Sequence, residues 1–230
     1  MGERIEFPND GISGHGYLAE PPGGGADSPG VIVIQEWWGL VPHIERTCDR
    51  LADEGFTALA VDLYGGTTVP LAEPDAAAKE MMALELGAAG RSLSGAVDEL
   101  RRRTGRDHIG VLGFCMGGGL ALVLACQRPD AVAAVVPAYG VIPWPDAQPD
   151  YAALSAAVLG HVAENDDFFT PAAADELRAK LEGLGKSVEF HLYPGVDHAF
   201  FNDDRSEVYD KDAADQLWER SVGFLREQLS

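Results

Sequence analysis

HIGVLGFCMGGGLALVLACQRP (108–129) carries the fold in miniature. HIGVLGF is a short apolar run of the kind that forms a buried strand, and GGLALVLACQRP reads as an apolar helix that stops at Pro129. Between them Gly113, Gly117, Gly118 and Gly119 surround Cys115, so the chain can turn sharply from strand into helix. The same alternation extends in both directions. GVIVI (30–34), ALAVDL (58–63), AVAAVVPAYG (131–140), AAVLGHV (156–162) and VEFHLYP (188–194) are further predicted strands. PHIERTCDRLADEG (42–55), SLSGAVDELRRRTG (92–105), AAADELRAKLEGLG (172–185) and KDAADQLWERSVGFLREQ (211–228) are predicted helices. Such alternation implies an α/β fold, a mostly parallel central sheet with helices on both faces. RIEFP and GHGYLAE near the start read as a hairpin that extends one edge of it.

At 230 residues the chain fits a single domain spanning 1–230. A domain of this size buries roughly 70% of the surface its unfolded chain exposes, so no metal or disulfide staple is needed. The net charge of −20 repels phosphate backbones and anionic lipid, which argues against nucleic-acid and membrane partners. No apolar run reaches the ~18 residues that span a bilayer. MGERIEFPND has no basic, apolar leader character, so the expected location is cytoplasmic. The cysteines Cys48, Cys115 and Cys126 contain no CxxC pair and suggest neither a disulfide framework nor a thiolate zinc site. Cys48 and Cys126 fall in helical patterns and read as small buried hydrophobes. His15, His43, His108, His161 and His191 are scattered without HExxH or paired spacing, so no metal is expected. The Pro-rich VIPWPDAQPDY (141–151) belongs at the rim of a parallel sheet, where it could line a pocket.

Gly113-Phe114-Cys115-Met116-Gly117 has the form Gly-x-nucleophile-x-Gly, with cysteine where serine is usual. The helix that follows points its N-terminus at the sulfur, which favours a thiolate and helps hold an oxyanion. The Met116 N–H is the expected first oxyanion donor. A buried cysteine in a glycine-packed turn is the other reading of the same residues. The remaining groups of a triad follow in the order nucleophile, acid, histidine, as in the α/β-hydrolase fold. HVAENDDFFTP (161–171) carries Asp166 and Asp167 into a loop after a strand, and YPGVDHAF (193–200) presents His198 after a Pro-Gly turn. A histidine beside cysteine acts first as general base and then as acid for the leaving group. A carboxylate behind the imidazole fixes its tautomer.

With Gln35-Glu36-Trp37-Trp38-Gly39, Gly113-Phe114-Cys115-Met116-Gly117-Gly118 and Gly195-Val196-Asp197-His198-Ala199-Phe200, the chain resembles the dienelactone hydrolase family along nearly its whole length. The resemblance implies hydrolysis of enol-lactones such as carboxymethylenebutenolide, without metal or cofactor, through a thioester acyl-enzyme. It implies Cys115 as nucleophile, His198 as base and an aspartate partner. The step Ala163-Glu164-Asn165 points to Asp166, with Asp167 as the alternative. It further implies that Glu36 lies near the thiol, and a buried carboxylate there opposes a permanent thiolate. Trp37 would supply the second oxyanion N–H. One feature departs from the family, whose arginines grip a substrate carboxylate. Ala199, Phe200, Phe201 and Asn202 follow His198, Arg205 comes late, and 72–91 offers only Lys79 before Arg91. A neutral ester or thioester therefore stands beside a lactone as the expected small-molecule substrate, and a non-catalytic thiol sensor of oxidant is the reading from another class. The oligomeric state is not legible.

Overall fold

The computed structural model describes residues 1–9, 11–140 and 142–230. In chain order it forms β1 (Glu3–Asn9), β2 (Ile12–Ala19), β3 (Gly30–Ile34), α1 (Pro42–Asp53), β4 (Thr57–Val61), α2 (Pro74–Ala83) and α3 (Leu86–Thr104). There follow β5 (Ile109–Phe114), α4 (Met116–Gln127), β6 (Val132–Ala138), β7 (Ala157–Asn165), α5 (Pro171–Gly183), β8 (Val188–Asp197) and α6 (Lys211–Leu229). The strands build one sheet in the order β1-β2-β4-β3-β5-β6-β7-β8. β1 and β2 are the expected hairpin, β2 lies antiparallel to β4, and the remaining pairs are parallel.

Successive strand residues point to opposite faces, and both faces are covered. Val31 and Val33 share a core with Ile44 and Leu51 of α1 and Leu217 and Leu225 of α6. Ile32 and Ile34 share the other with Val97 and Leu100 of α3 and Leu120 and Leu124 of α4. From β3 the chain steps to β4 on one side, then returns to β5 on the other. The loops after β3 and β5 therefore diverge, and a crevice opens at their carboxyl ends.

Several boundaries differ from expectation for local reasons. α3 begins at Leu86 rather than 92, although Gly87 and Gly90 weaken the helical signal there. The Glu85 carboxylate compensates as an N-cap, accepting the N–H groups of Gly87 at 3.0 Å and Ala88 at 2.6 Å. β7 and β8 reach Asn165 and Asp197, past the predicted ends at 162 and 194. Pro194 and Gly195 thus do not form a turn that ends the strand. They sit in a bulge of β8, where pairing jumps from Ala163–Tyr193 to Asn165–Asp197. Val141, first residue of the Pro-rich segment, lies outside the described residues; within that segment Pro145–Ala147 forms a 3-10 turn.

The turn between β5 and α4 is where backbones come closest. A Cβ on Gly113 would lie 2.0 Å from the Gly117 carbonyl oxygen, and one on Gly117 would lie 2.4 Å from the Ile34 carbonyl oxygen. Both neighbours are backbone, one in α4 and one in β3, and cannot swing away. Gly117→Ala is therefore expected to lose roughly 1–3 kcal/mol to overpacking, read as a lower urea midpoint at unchanged slope. Gly223→Ala is the control, since nothing lies within 4 Å of its added Cβ in α6. It should gain about 0.5–1 kcal/mol of helix propensity.

Candidate active site

Cys115 stands between β5 and α4 with φ 54° and ψ −124°, outside the regions a side chain ordinarily occupies. Its N–H still pairs with Ala138 of β6 at 3.1 Å, so the strand ladder runs up to the residue that breaks away from it. Its carbonyl accepts the Gly118 N–H at 2.9 Å and closes the first turn of α4. Met116 is the first residue of that helix, so its N–H belongs to the first-turn donors that have no intrahelical acceptor.

β7 and β8, paired side by side, end at Asn165 and Asp197 and deliver the next residues together. His198 Nδ1 and Asp166 Oδ2 are 2.7 Å apart. The other oxygen of Asp166 accepts the N–H groups of Phe168 at 2.8 Å and Phe169 at 2.9 Å. The Asp166 side chain is wholly buried, so these three donors replace its lost hydration. Asp167 is exposed and makes no such contact. His198 Nε2 is buried without a hydrogen-bond partner among the described residues, and His198 lines the same pocket as Cys115. Burial pulls the His198 imidazole down, but the Cys115 sulfur and the Asp166 carboxylate outweigh it and its pKa is pushed up to about 10.

Glu36 follows β3, beside β5, and is buried. Its Oε2 accepts from Asn202 Nδ2 at 2.6 Å, and its Oε1 lies 3.4 Å from the Tyr139 hydroxyl. The Trp37 ring stands edge-on to Phe168 and Trp38. Glu36, Trp37, Cys115 and His198 line one cavity of about 230 Å³. Larger cavities of about 320 and 350 Å³ lie elsewhere, but neither is lined by a cysteine or histidine. The Pro-rich segment lines the second of these and not the Cys115 cavity.

Arg205 also lines the Cys115 cavity, which counting residues from His198 did not suggest. The intervening segment doubles back, with Asn202 N–H bonded to Ala199 at 2.9 Å and Arg205 N–H to Asn202 at 3.1 Å. The Arg205 Nε is held by Glu207 at 2.9 Å. The other cysteines are set apart by environment more than by exposure. Cys115 is 6% exposed and Cys126 is 8% exposed. Burial raises the Cys126 thiol to about 11 and the fully buried Cys48 thiol further. His161 is a satisfied core histidine, bonded to Tyr193 at 2.8 Å and Ser221 at 3.0 Å. Among the described residues no group of three or more His, Cys, Asp or Glu side chains is placed to hold a metal ion.

The sheet order, the strained turn after β5 and the residues at the strand ends define an α/β-hydrolase. The family model described as dienelactone hydrolase matches residues 15–229. "Protein usf" of Aquifex pyrophilus is 37% identical over 240 residues, covering 100% of both chains. "Putative carboxymethylenebutenolidase" of Aquifex aeolicus is 34% identical over 237 residues, again covering 100% of both. The crystal structure of "Putative Dienelactone Hydrolase" from Klebsiella pneumoniae superposes with a TM-score of 0.88 at 26% identity, covering 99% of this chain and 98% of that one. The chain belongs to the dienelactone hydrolase family and is a hydrolase acting on ester bonds.

Two measurements follow from this geometry. Brief iodoacetamide treatment with mass spectrometry should label Cys115 first; primary labelling at Cys48 or Cys126 would sink that expectation. Asp166→Asn should lower kcat on a chromogenic ester by on the order of 10⁴, because the imidazole loses the partner that fixes its tautomer. Asp167→Asn should stay active and within about 0.5 kcal/mol of wild-type stability. The reverse ranking would place the acid one residue later.

Proposed function

We propose that this chain hydrolyses lactones and esters through Cys115, His198 and Asp166, by way of a thioester acyl-enzyme. The observation that carries this reading is the 2.7 Å contact between Asp166 and His198 Nδ1, with Nε2 left without a partner and His198 lining the cavity shared with Cys115. His198 takes the thiol proton as sulfur attacks the carbonyl carbon. The N–H groups of Met116 and Trp37 receive the developing oxyanion. Collapse of the tetrahedral intermediate breaks the C–O bond, and His198 returns the proton to the leaving oxygen. In a lactone that oxygen stays on the same molecule, so the ring opens without releasing a fragment. Water, deprotonated by His198, then attacks the thioester and frees Cys115.

Glu36 restrains the thiol in this scheme. The imidazolium and the α4 N-terminus favour sulfur as an anion, whereas a nearby carboxylate disfavours it. That balance limits oxidation of an idle enzyme.

Arg205 supports a carboxylated substrate of the carboxymethylenebutenolide type. Arg205 lines the cavity, and only its Nε is engaged in an ion pair among the described residues. A planar fork of N–H donors suits a carboxylate.

The test is a panel of carboxylated lactones, their methyl esters and chromogenic esters, assayed with wild type, Cys115→Ala and Arg205→Met. Cys115→Ala should abolish turnover throughout. Arg205→Met should raise KM for the carboxylated lactone by roughly tenfold or more, the worth of a charge-assisted hydrogen bond, and leave its methyl ester little changed. Equal effects on both substrates would exclude the carboxylate role. Absence of wild-type turnover on every substrate would favour a redox-sensing thiol.

A further inference from the structure

Glu36 is 1% exposed and enters no ion pair among the described residues. A carboxylate withdrawn from water without a paired cation depends on hydrogen bonds for its stabilisation. Asn202, itself 0% exposed, donates through Nδ2 to Glu36 Oε2 at 2.6 Å. The direction of this amide is dictated by the chain. Asn202 Oδ1 accepts the Asp204 backbone N–H at 3.1 Å, and that group can only donate. Nδ2 must then face Glu36, so Oε2 has to be an acceptor. A proton on that oxygen would meet another N–H head-on.

The amide cannot easily retreat. Asn202 lies in the folded-back segment after His198, and the next residue, Asp203, is tied to α1 by His43 at 2.9 Å and Arg46 at 2.7 Å. The Asn202–Glu36 contact therefore joins the end of β3 to the segment after β8, and both border the Cys115 cavity. Around Glu36 stand Cys115 from the β5–α4 turn, Tyr139 from the end of β6, and His198 and Arg205 from the segment after β8. Asp167 and Asp197 line the same cavity.

We propose that Asn202, with Tyr139 as a second donor, is a positioning residue that fixes Glu36 as an acceptor-only carboxylate and thereby sets the pH range in which Cys115 reacts. This deepens the proposed function and rests on its assignment of Cys115 and Glu36.

The test is the pH–rate profile of iodoacetamide alkylation at Cys115, in wild type, Glu36→Gln, Asn202→Ala, the double variant and Tyr139→Phe. Glu36→Gln removes the charge and should move the profile to lower pH by roughly one unit. Asn202→Ala should move it in the same direction, because Oε2 loses its donor and the carboxyl takes up a proton. The double variant should go no further than Glu36→Gln alone. Tyr139→Phe keeps the ring and should give a smaller shift of the same sign; it decides the matter where Asn202→Ala does not fold. A profile that moves with Glu36→Gln but with neither donor variant overturns this inference alone. One that ignores Glu36→Gln overturns the role of Glu36 and this inference with it. An Asn202→Ala shift that persists undiminished in the Glu36→Gln background also overturns it, since the amide would then act on sulfur by another route.

Discussion

The first turn of α4 is pressed against the end of β3 so closely that a Cβ on Gly117 would lie 2.4 Å from the Ile34 carbonyl oxygen. Only glycine allows this approach, and the site depends on it. Cys115 precedes the pressed turn, and Glu36 comes two residues after Ile34, so the contact brings cysteine and glutamate to one crevice. The positive φ of Cys115 is a consequence of the same constraint. The chain must leave a fully paired strand and enter a helix within one residue, and a strained backbone conformation of order 1–3 kcal/mol is the cost. Packing on both faces of β5, all of whose residues are buried, holds that conformation in place.

Two carboxylates are buried around this turn, and hydrogen-bond donors replace the lost hydration of each. Asp166 has two backbone N–H groups on one oxygen and His198 on the other. Glu36 has an amide and a phenol. The neutral donors of Glu36 stabilise its charge without cancelling it, whereas Asp166 faces an imidazole whose proton it stabilises. The two then pull the same pair in opposite senses. Asp166 favours a protonated His198, which favours sulfur as an anion, while Glu36 opposes charge on the sulfur. If Cys115 is the nucleophile, as proposed, its reactivity responds to a substrate that disturbs either one.

Sequence reading located β3 without error because GVIVI is buried throughout and is bounded by glycine and a polar pair. It singled out Cys115, Asp166 and His198 because each follows a strand at a position where chain order has meaning, and one cavity is lined by Cys115 and His198 with Glu36 and Trp37. It went astray where local signals conflicted with tertiary context. Gly87 and Gly90 concealed the first turns of α3, and Pro194-Gly195 imitated a turn inside a bulged strand. Arg205 did not stand out because sequence separation is a poor guide to distance once a segment folds back on itself. Asn202 carries no motif at all. Its one signal is a polar amide closing the apolar run Ala199-Phe200-Phe201, which places a buried donor within reach of the site.

Charge at the cavity differs in kind from charge on the molecule. The net −20 slows any anion at long range, yet at physiological ionic strength screening acts over about 8 Å. At contact a substrate meets Arg205 together with Glu36, Asp167 and Asp197. Three carboxylates against one guanidinium make a poor general trap for anions. For the proposed carboxylated substrate they leave one favourable place, beside Arg205, and unfavourable places around it. With its Nε held by Glu207 and 5.7 Å from the Trp38 ring, the Arg205 guanidinium has a defined orientation. In the proposed function a carboxylate seated there fixes one end of the substrate while Cys115 attacks the carbonyl at the other. Selectivity on this account comes from the separation of the two groups in the substrate, because surrounding repulsion penalises every anion that does not span it.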